Sequence, residues 1–449
     1  MTVTHTAPDF DHWLTQQVSL SAQWMQRSIS AVDRVKHRPG FGQSIRPERG
    51  SIIASPVFAA YDPDPDYAFH WFRDSAVVID AMRLLFEQGV IDQQQAESLI
   101  ADAVDFAEKL MQLDGRALAL DSNWRAQVQP DFVQYLRSNE ELAAVHGSSV
   151  LGETRVNPDG SLDRTRWARP QYDGAPLRAL AMLRWHQSPM TTLPAGLASR
   201  LSALIDHDLA FTCEHADLPS FDIWEEECGL HYYTLRVAAA ALGQGAAWLQ
   251  SRDPTLAQRY QQRAAQLRGK LDAFWFEDQQ FYQSRFGEGD RPSPKALDIA
   301  VILSAVHCGE TTGTHTVDDP RMQSTLARLD ALFDARYSIN RLRADGEGPA
   351  LGRYDGDVYY SGGAYFFSTL GAAEFCYKAA RHAADGRPWI ERGDGYLRTV
   401  RRYTAPDGAL SEQFDQHDGA QTSARHLAWS YAGLISSADA RRRALLPVG

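Results

Sequence analysis

The sequence predicts an all-α fold, an (α/α)6 barrel of six helical hairpins with the long loops at one end. Three observations predict it. Apolar residues recur at helical spacing in about twelve segments of the chain. Strand-like alternation is scarce. Connections alternate between short and long, and in an up-down arrangement alternate connections emerge at the same end. An open α-solenoid is the architectural alternative, but no motif repeats at a fixed period.

The spacing predicts helices over residues 11–34, 74–88, 94–113, 175–187, 194–210, 231–250, 255–272, 294–306, 320–335, 363–384, 388–402 and 422–438. In the second, Asp74 and Ser75 can cap the start, and apolar residues then cover most of the circumference. Alanine and leucine dominate the stretch from Val237 to Ala247, which favours helix. A small hairpin joining Trp275-Phe276 to Phe281-Tyr282 is expected between the seventh and eighth helices. The connections after the second, fourth, sixth and tenth helices are short, and the one after the eighth is longer. Those after the odd-numbered helices are long, and long irregular loops in a compact domain are usually functional.

With 449 residues, 44% of them hydrophobic, the chain can bury a large core. No Ser/Thr-, Pro- or Gly-rich run divides it, so a single domain over 1–449 is expected, with its core at about 11–438. The net charge of −12 argues against nucleic acid as a partner and suits a neutral substrate. The 11 tryptophans supply candidate platforms for pyranose rings. No apolar run reaches membrane-spanning length, and the N-terminal residues lack the pattern of a secretion leader. Cys213, Cys228, Cys308 and Cys376 show no metal-ligand spacing, and Cys308 and Cys376 sit in apolar stretches that suggest buried thiols. A cytoplasmic protein with no metal or organic cofactor is expected.

The long loops carry the candidate chemistry. The first holds Tyr67 and Trp71-Phe72-Arg73-Asp74, where adjacent Arg and Asp can donate to and accept from neighbouring sugar hydroxyls. The second, from Arg166 to Arg178, contains Trp167 among helix-breaking Pro and Gly residues. The third contains Asp222-Ile223-Trp224-Glu225-Glu226-Glu227, an acidic run following Trp and preceding Gly rather than lying on a helix face. A Glu pressed against Trp would lose hydration, which favours general-acid use. The fifth contains Gly352-Arg353-Tyr354, Asp357 and Tyr359-Tyr360, and the sixth Ser411-Glu412-Gln413-Phe414 followed by Ser423-Ala424 and Trp429-Ser430-Tyr431. Taken singly, most of these stretches read as well as turns, caps or surface acid. Two carboxylates delivered from separate loops into one aromatic pocket are what cleavage of a glycosidic bond requires.

On these stretches, in this order and spacing, the chain resembles glycoside hydrolase family 15, the glucoamylases, from about residue 11 to 438. The resemblance implies an exo-acting, inverting enzyme on an (α/α)6 barrel that releases β-glucose from non-reducing ends. It implies Glu225 as general acid and Glu412 as general base. Arg73 and Asp74 would hold the terminal glucose, and Trp71, Trp167, Trp224 and Trp429 would line the pocket. Tyr67 would sit near the attacking water, with Glu226 and Arg353 on the leaving-group side. Inversion requires water between the base and the anomeric carbon, so carboxyls about 6.5–9.5 Å apart are expected, with Glu412 in the more polar setting.

Departures from the family pattern bear on the substrate. Neither a starch-binding domain nor a preceding β-sandwich domain is recognisable, which points to short oligosaccharides. Tyr365 stands where many fungal members have Trp, and Glu227 where they often have an apolar residue, both toward the leaving-group side. Linkages α-1,4 and α-1,6 rank nearly equal, with trehalose third. A phosphorolytic enzyme on the same barrel would need only the acid and a basic anion site. An inactive sugar-binding protein is the reading from another class. The sequence leaves the oligomeric state open.

Overall fold

The computed structural model describes residues 7–59, 64–190, 192–286, 293 and 295–447. Twelve principal helices run in chain order: α1 Ala7–Gln26, α2 Phe72–Glu87, α3 Gln93–Met111, α4 Gly174–Gln187, α5 Ala195–His215, α6 Tyr232–Leu249, α7 Pro254–Leu271, α8 Ala300–Cys308, α9 Pro320–Arg336, α10 Phe366–Ala380, α11 Arg387–Tyr403 and α12 Ala428–Ala444. The even-numbered helices touch in sequence from α2 to α12, and α12 packs back on α2. That closure excludes the open solenoid and makes an (α/α)6 barrel.

Sequence sorts the two rings. Inner helices are apolar nearly all round, as expected of an element buried on every side: α6 is buried continuously from Tyr232 to Leu242, and α10 from Phe366 to Tyr377. Outer helices present one apolar stripe. In α11 the buried residues Tyr396, Leu397 and Val400 share a face, while Arg398, Arg401 and Arg402 reach solvent or surface partners. Helix starts are marked by local chemistry: Asp92 with Gln95 forms a capping box on α3, and Asp253-Pro254 and Asp319-Pro320 open α7 and α9.

All twelve expected helices are present, with shifted ends. The first stops at Gln26 rather than 34, because the chain turns with Ser30 at φ 50°. The second begins at Phe72, so Asp74 lies inside the first turn and neither it nor Ser75 caps the helix. The eighth starts at Ala300 rather than 294 (residue 294 lies outside the described residues). The tenth spans 366–380 rather than 363–384. The twelfth starts six residues later than expected, because Ser423 and His426 adopt positive φ. Short helices at Gly115–Leu120, Asn123–Ala126 and Asn139–Ala143 were not foreseen. The 275–282 hairpin is present, pairing Trp275 with Tyr282. All four cysteines are free, and Cys213, Cys308 and Cys376 are buried. Among the described residues no helix is long and apolar enough to cross a membrane.

Each long loop runs from an outer helix to the N-terminus of the next inner helix, so these loops share one end of the barrel. Small sheets tie them together. His70–Trp71 pairs antiparallel with Arg155–Val156, Ser220–Phe221 with Cys228–Gly229, and Gln413–Phe414 lies between Ala364–Tyr365 and Gln421–Thr422.

Candidate active site

Glu225 sits at the tip of the hairpin formed by residues 220–221 and 228–229. Asp222 fastens that tip: its Oδ1 accepts from the backbone of Glu226 at 2.8 Å and Glu227 at 3.3 Å, and its carbonyl accepts from Glu225 N at 3.0 Å. Glu225 has φ 65°, a left-handed conformation costly for a side chain with a Cβ and typical of functional turns. Its Oε1 accepts from Trp71 Nε1 at 2.8 Å and Arg73 Nη2 at 3.2 Å, and its Oε2 accepts from Trp167 Nε1. Both tryptophans therefore address the carboxylate with their polar N–H edges. The apolar ring contact expected from the sequence is replaced by two directed hydrogen bonds.

Arg73 and Asp74, in the first turn of α2, form a buried floor with Asp173, the residue before α4. Arg73 reaches Asp74 at 3.3 Å, Asp173 at 3.4 Å and Glu225 at 3.2 Å, and lies 5.4 Å over the ring of Trp429. Burial works against its charge, but the three carboxylates hold its pKa above the ordinary arginine value. The carboxylates outnumber the guanidinium. Asp74 is pushed up to about 6, chiefly by burial, with Glu225 and Asp173 adding to the rise against the pull of Arg73. Asp173 is raised too, again mainly by burial. Arg73 Nε, Asp74 Oδ2 and Asp173 Oδ1 are buried atoms without a hydrogen-bond partner among the described residues. A donor and two acceptors held this way match the hydroxyl groups at one edge of a sugar.

Glu412 precedes the central strand of the three-stranded sheet. Its backbone is gripped on both sides: its N–H donates to Ala424 O at 2.8 Å, and its carbonyl accepts from Phe366 N at 3.2 Å. Tyr67 Oη donates to its two oxygens at 3.3 and 3.2 Å, and Ser423 Oγ, turned inward by φ 63°, donates to Oε2. The residue is only 8% exposed, and burial raises its carboxyl from its ordinary 4.5 to about 7 against the opposing influence of Ser423, Arg353 and Tyr67. The expectation of a polar site that keeps Glu412 readily ionised is thus corrected: the hydroxyls are present, but desolvation outweighs them.

The two glutamates are linked through aromatic side chains. Trp71 binds Glu225, its ring lies 5.3 Å from that of Tyr67, and Tyr67 binds Glu412. Tyr67 also exchanges a 2.8 Å hydrogen bond with Tyr359. On a third side, Glu226 accepts from Arg353 at 2.9 Å, from Tyr354 at 2.6 Å and from Lys295. Arg353 is clamped by Asp357 at 2.5 and 2.6 Å and lies 5.3 Å from the ring of Trp224.

All eleven residues expected at the site border this one region, with different exposures. Trp167 stands at the mouth, 43% exposed. Trp429 is buried and stacks on Phe367 at 4.4 Å. Trp224 donates to Asp298 at 2.8 Å and stacks on Phe367, so its N–H is committed to the protein. Tyr365 is buried and receives a 2.7 Å hydrogen bond from Gln413, while Glu227 pairs with Arg285. Sequence reasoning named Ser423 only as part of a motif, gave it no role, and did not single out Asp173, Asp298 or Lys295. Asp173 had a signal, an acidic residue just before a helix start as in the first loop. Lys295 had none.

A family model, glycosyl hydrolases family 15, matches residues 42–392 and 387–439. The chain belongs to this family. Its glycoside hydrolase relatives include a probable glucoamylase of Schizosaccharomyces pombe, 28% identical over 95% of this chain and 91% of the relative. A glucoamylase of Neurospora crassa is 27% identical over 89% of this chain and 64% of its own length, so the chain spans less than two thirds of that protein. Among solved structures, the family 15 glucoamylase of Hypocrea jecorina superposes with a TM-score of 0.75 at 23% identity, covering 98% of this chain and 73% of that one. The glucoamylase of Saccharomycopsis fibuligera gives 0.74 at 21% identity, covering 99% and 98%. The family 15 fold and the observed ring of helices agree.

Proposed function

We propose that this chain is an inverting, exo-acting α-glucosidase that releases β-D-glucose from the non-reducing ends of α-1,4- or α-1,6-linked gluco-oligosaccharides. The observation that carries the reading is the arrangement of the two glutamates, delivered by separate loops to either side of the Tyr67–Trp71 pair, beside the buried group of Arg73, Asp74 and Asp173. The two relatives named above are a probable glucoamylase and a glucoamylase, which supports a glucose-releasing activity.

The roles follow from position. A terminal glucose lies against Arg73, Asp74 and Asp173, whose buried polar atoms meet its hydroxyls, and a buried wall there restricts attack to chain termini. Glu225, from the hairpin tip, protonates the departing glycosidic oxygen. Glu412 takes a proton from water held near Tyr67, and the water attacks the anomeric carbon from the opposite face. The group of Glu226, Arg353, Tyr354 and Lys295 borders the leaving sugar. Four free cysteines suit a reducing cytoplasm, and short oligosaccharides rather than starch granules are the substrates we favour. Trehalose ranks third. Glu412, with its two hydroxyl donors, favours hydrolysis over phosphorolysis, which needs no base for water.

Proton NMR of fresh reactions with maltotriose, isomaltose and trehalose tests this. Early β-glucose from one of the first two supports the proposal and names the linkage. Early α-glucose removes the inverting assignment. Release from trehalose alone selects the trehalase-like reading, and no release from any of the three overturns the proposal.

A further inference from the structure

We infer that Arg155 is a positioning residue for the catalytic acid, acting through the two tryptophans that hold Glu225; the inference rests on the acid role proposed above. Arg155 lies opposite Trp71 in the antiparallel pair of residues 70–71 and 155–156. Its side chain is buried, and the guanidinium lies 3.6 Å over the ring of Trp167, 5.0 Å from that of Trp71 and 4.0 Å from that of Phe69. One flat cation thus contacts both indoles whose N–H groups end on Glu225.

The guanidinium is itself fixed. Its Nε donates to Asp163 Oδ2 at 2.9 Å, and Nη2 donates to Thr165 Oγ1 at 3.4 Å. Asp163 is anchored in turn by Arg169 at 3.0 Å and by Thr165, whose Oγ1 donates to Oδ1 at 2.7 Å. The arrangement matters most for Trp167. That indole is the most exposed of the Glu225 partners, and without a stacking partner its N–H could swing off the carboxylate. A planar guanidinium stacks on an aromatic face as the compact ammonium of lysine does not. Arg155 touches no reacting atom. It sets the direction of two donors, and so the place of the proton that Glu225 delivers.

The test compares Arg155→Lys with the wild type on two substrates, maltotriose and α-glucosyl fluoride. Lysine keeps the charge beside Asp163 and loses the planar stack. An alkoxide leaving group needs the acid's proton, whereas fluoride departs with little help. We expect kcat on maltotriose to fall at least about tenfold and kcat on the fluoride to change by less than about threefold, with KM little altered. Trp167→Phe, which keeps an aromatic face and removes the donor, should also lose kcat on maltotriose, and the double variant should lose less than the product of the two single losses. Equal losses on both substrates would reveal a merely structural role and overturn the inference, as would unchanged kcat on both. Full additivity in the double variant would also overturn it. Failure of the wild type to turn over either substrate would instead count against the proposed function itself.

Discussion

At the scale of single residues, the site gives its two glutamates different partners. Glu225 meets three N–H donors with its side chain 11% exposed, and Glu412 meets two hydroxyls and is 8% exposed. Glu225→Gln and Glu412→Gln should each reduce kcat at least about a hundredfold while leaving the circular dichroism spectrum unchanged, since positioned acids and bases contribute roughly 10²–10⁴-fold. A base must be ionised, so kcat/KM on maltotriose should decline as pH falls through about 7, where burial has moved Glu412. Ser423→Ala removes an opposing hydrogen bond and should shift that decline to higher pH. The same rise has a stability consequence with a definite sign. A carboxyl whose folded pKa is raised binds its proton more tightly in the folded state, so its contribution is favourable below 4.5 and is lost as pH rises toward 7. Glu412→Gln should therefore melt higher than the wild type at pH 8, with the difference vanishing at pH 4. Much of this site could be read from the chain, because its residues cluster within short aromatic and acidic stretches. What escaped were side chains whose role exists only across space: Ser423 through a left-handed turn, and Lys295 and Arg155 through contacts made by the fold.

At the scale of elements, the helices were legible because period and capping act locally, whereas their ends were decided by neighbours. The six residues before α12, 422–427, read as helix, yet Thr422 joins a sheet opposite Gln413 and Ser423 turns toward Glu412. Tertiary pairing there overrides local propensity. Two-residue strands leave almost no pattern in a sequence, yet they set the catalytic loops. The sheet around Glu412 shows how tightly. A Cβ on Gly363 would stand 2.2 Å from the carbonyl oxygen of Phe414 in the adjacent strand. Gly363→Ala should push that strand away, costing about 1–3 kcal/mol of stability by the usual scale of overpacking, and should lower kcat through Glu412. Urea unfolding and steady-state kinetics on the same preparation would check both halves. A stable, fully active Gly363→Ala enzyme would show that the strand has room to yield.

At the scale of the whole molecule, the ring explains why one end carries the chemistry. Each inner helix points its N-terminus at the same mouth, and the loops leading there are the long ones. Partial positive charge at those termini favours carboxylates nearby, which suits a floor holding Asp74 and Asp173. The closure between α12 and α2 has a further consequence. The helix at the start of the ring and the one at its end are also joined on the outside, where α1 packs on α12 and Arg441 pairs with Asp11 at 2.9 Å. A closed circle of hairpins has no privileged first member, so the order in which the chain visits them is a matter of gene arrangement more than of folding physics. A circularly permuted protein, with its original ends linked and new ends opened in the short 250–253 connection on the face away from the site, should fold and keep turnover on maltotriose within a few-fold of the parent. Opening the ring within 216–231 instead cuts the hairpin that holds Glu225, and should leave a folded barrel unable to cleave, a contrast that thermal melting and glucose release together would measure.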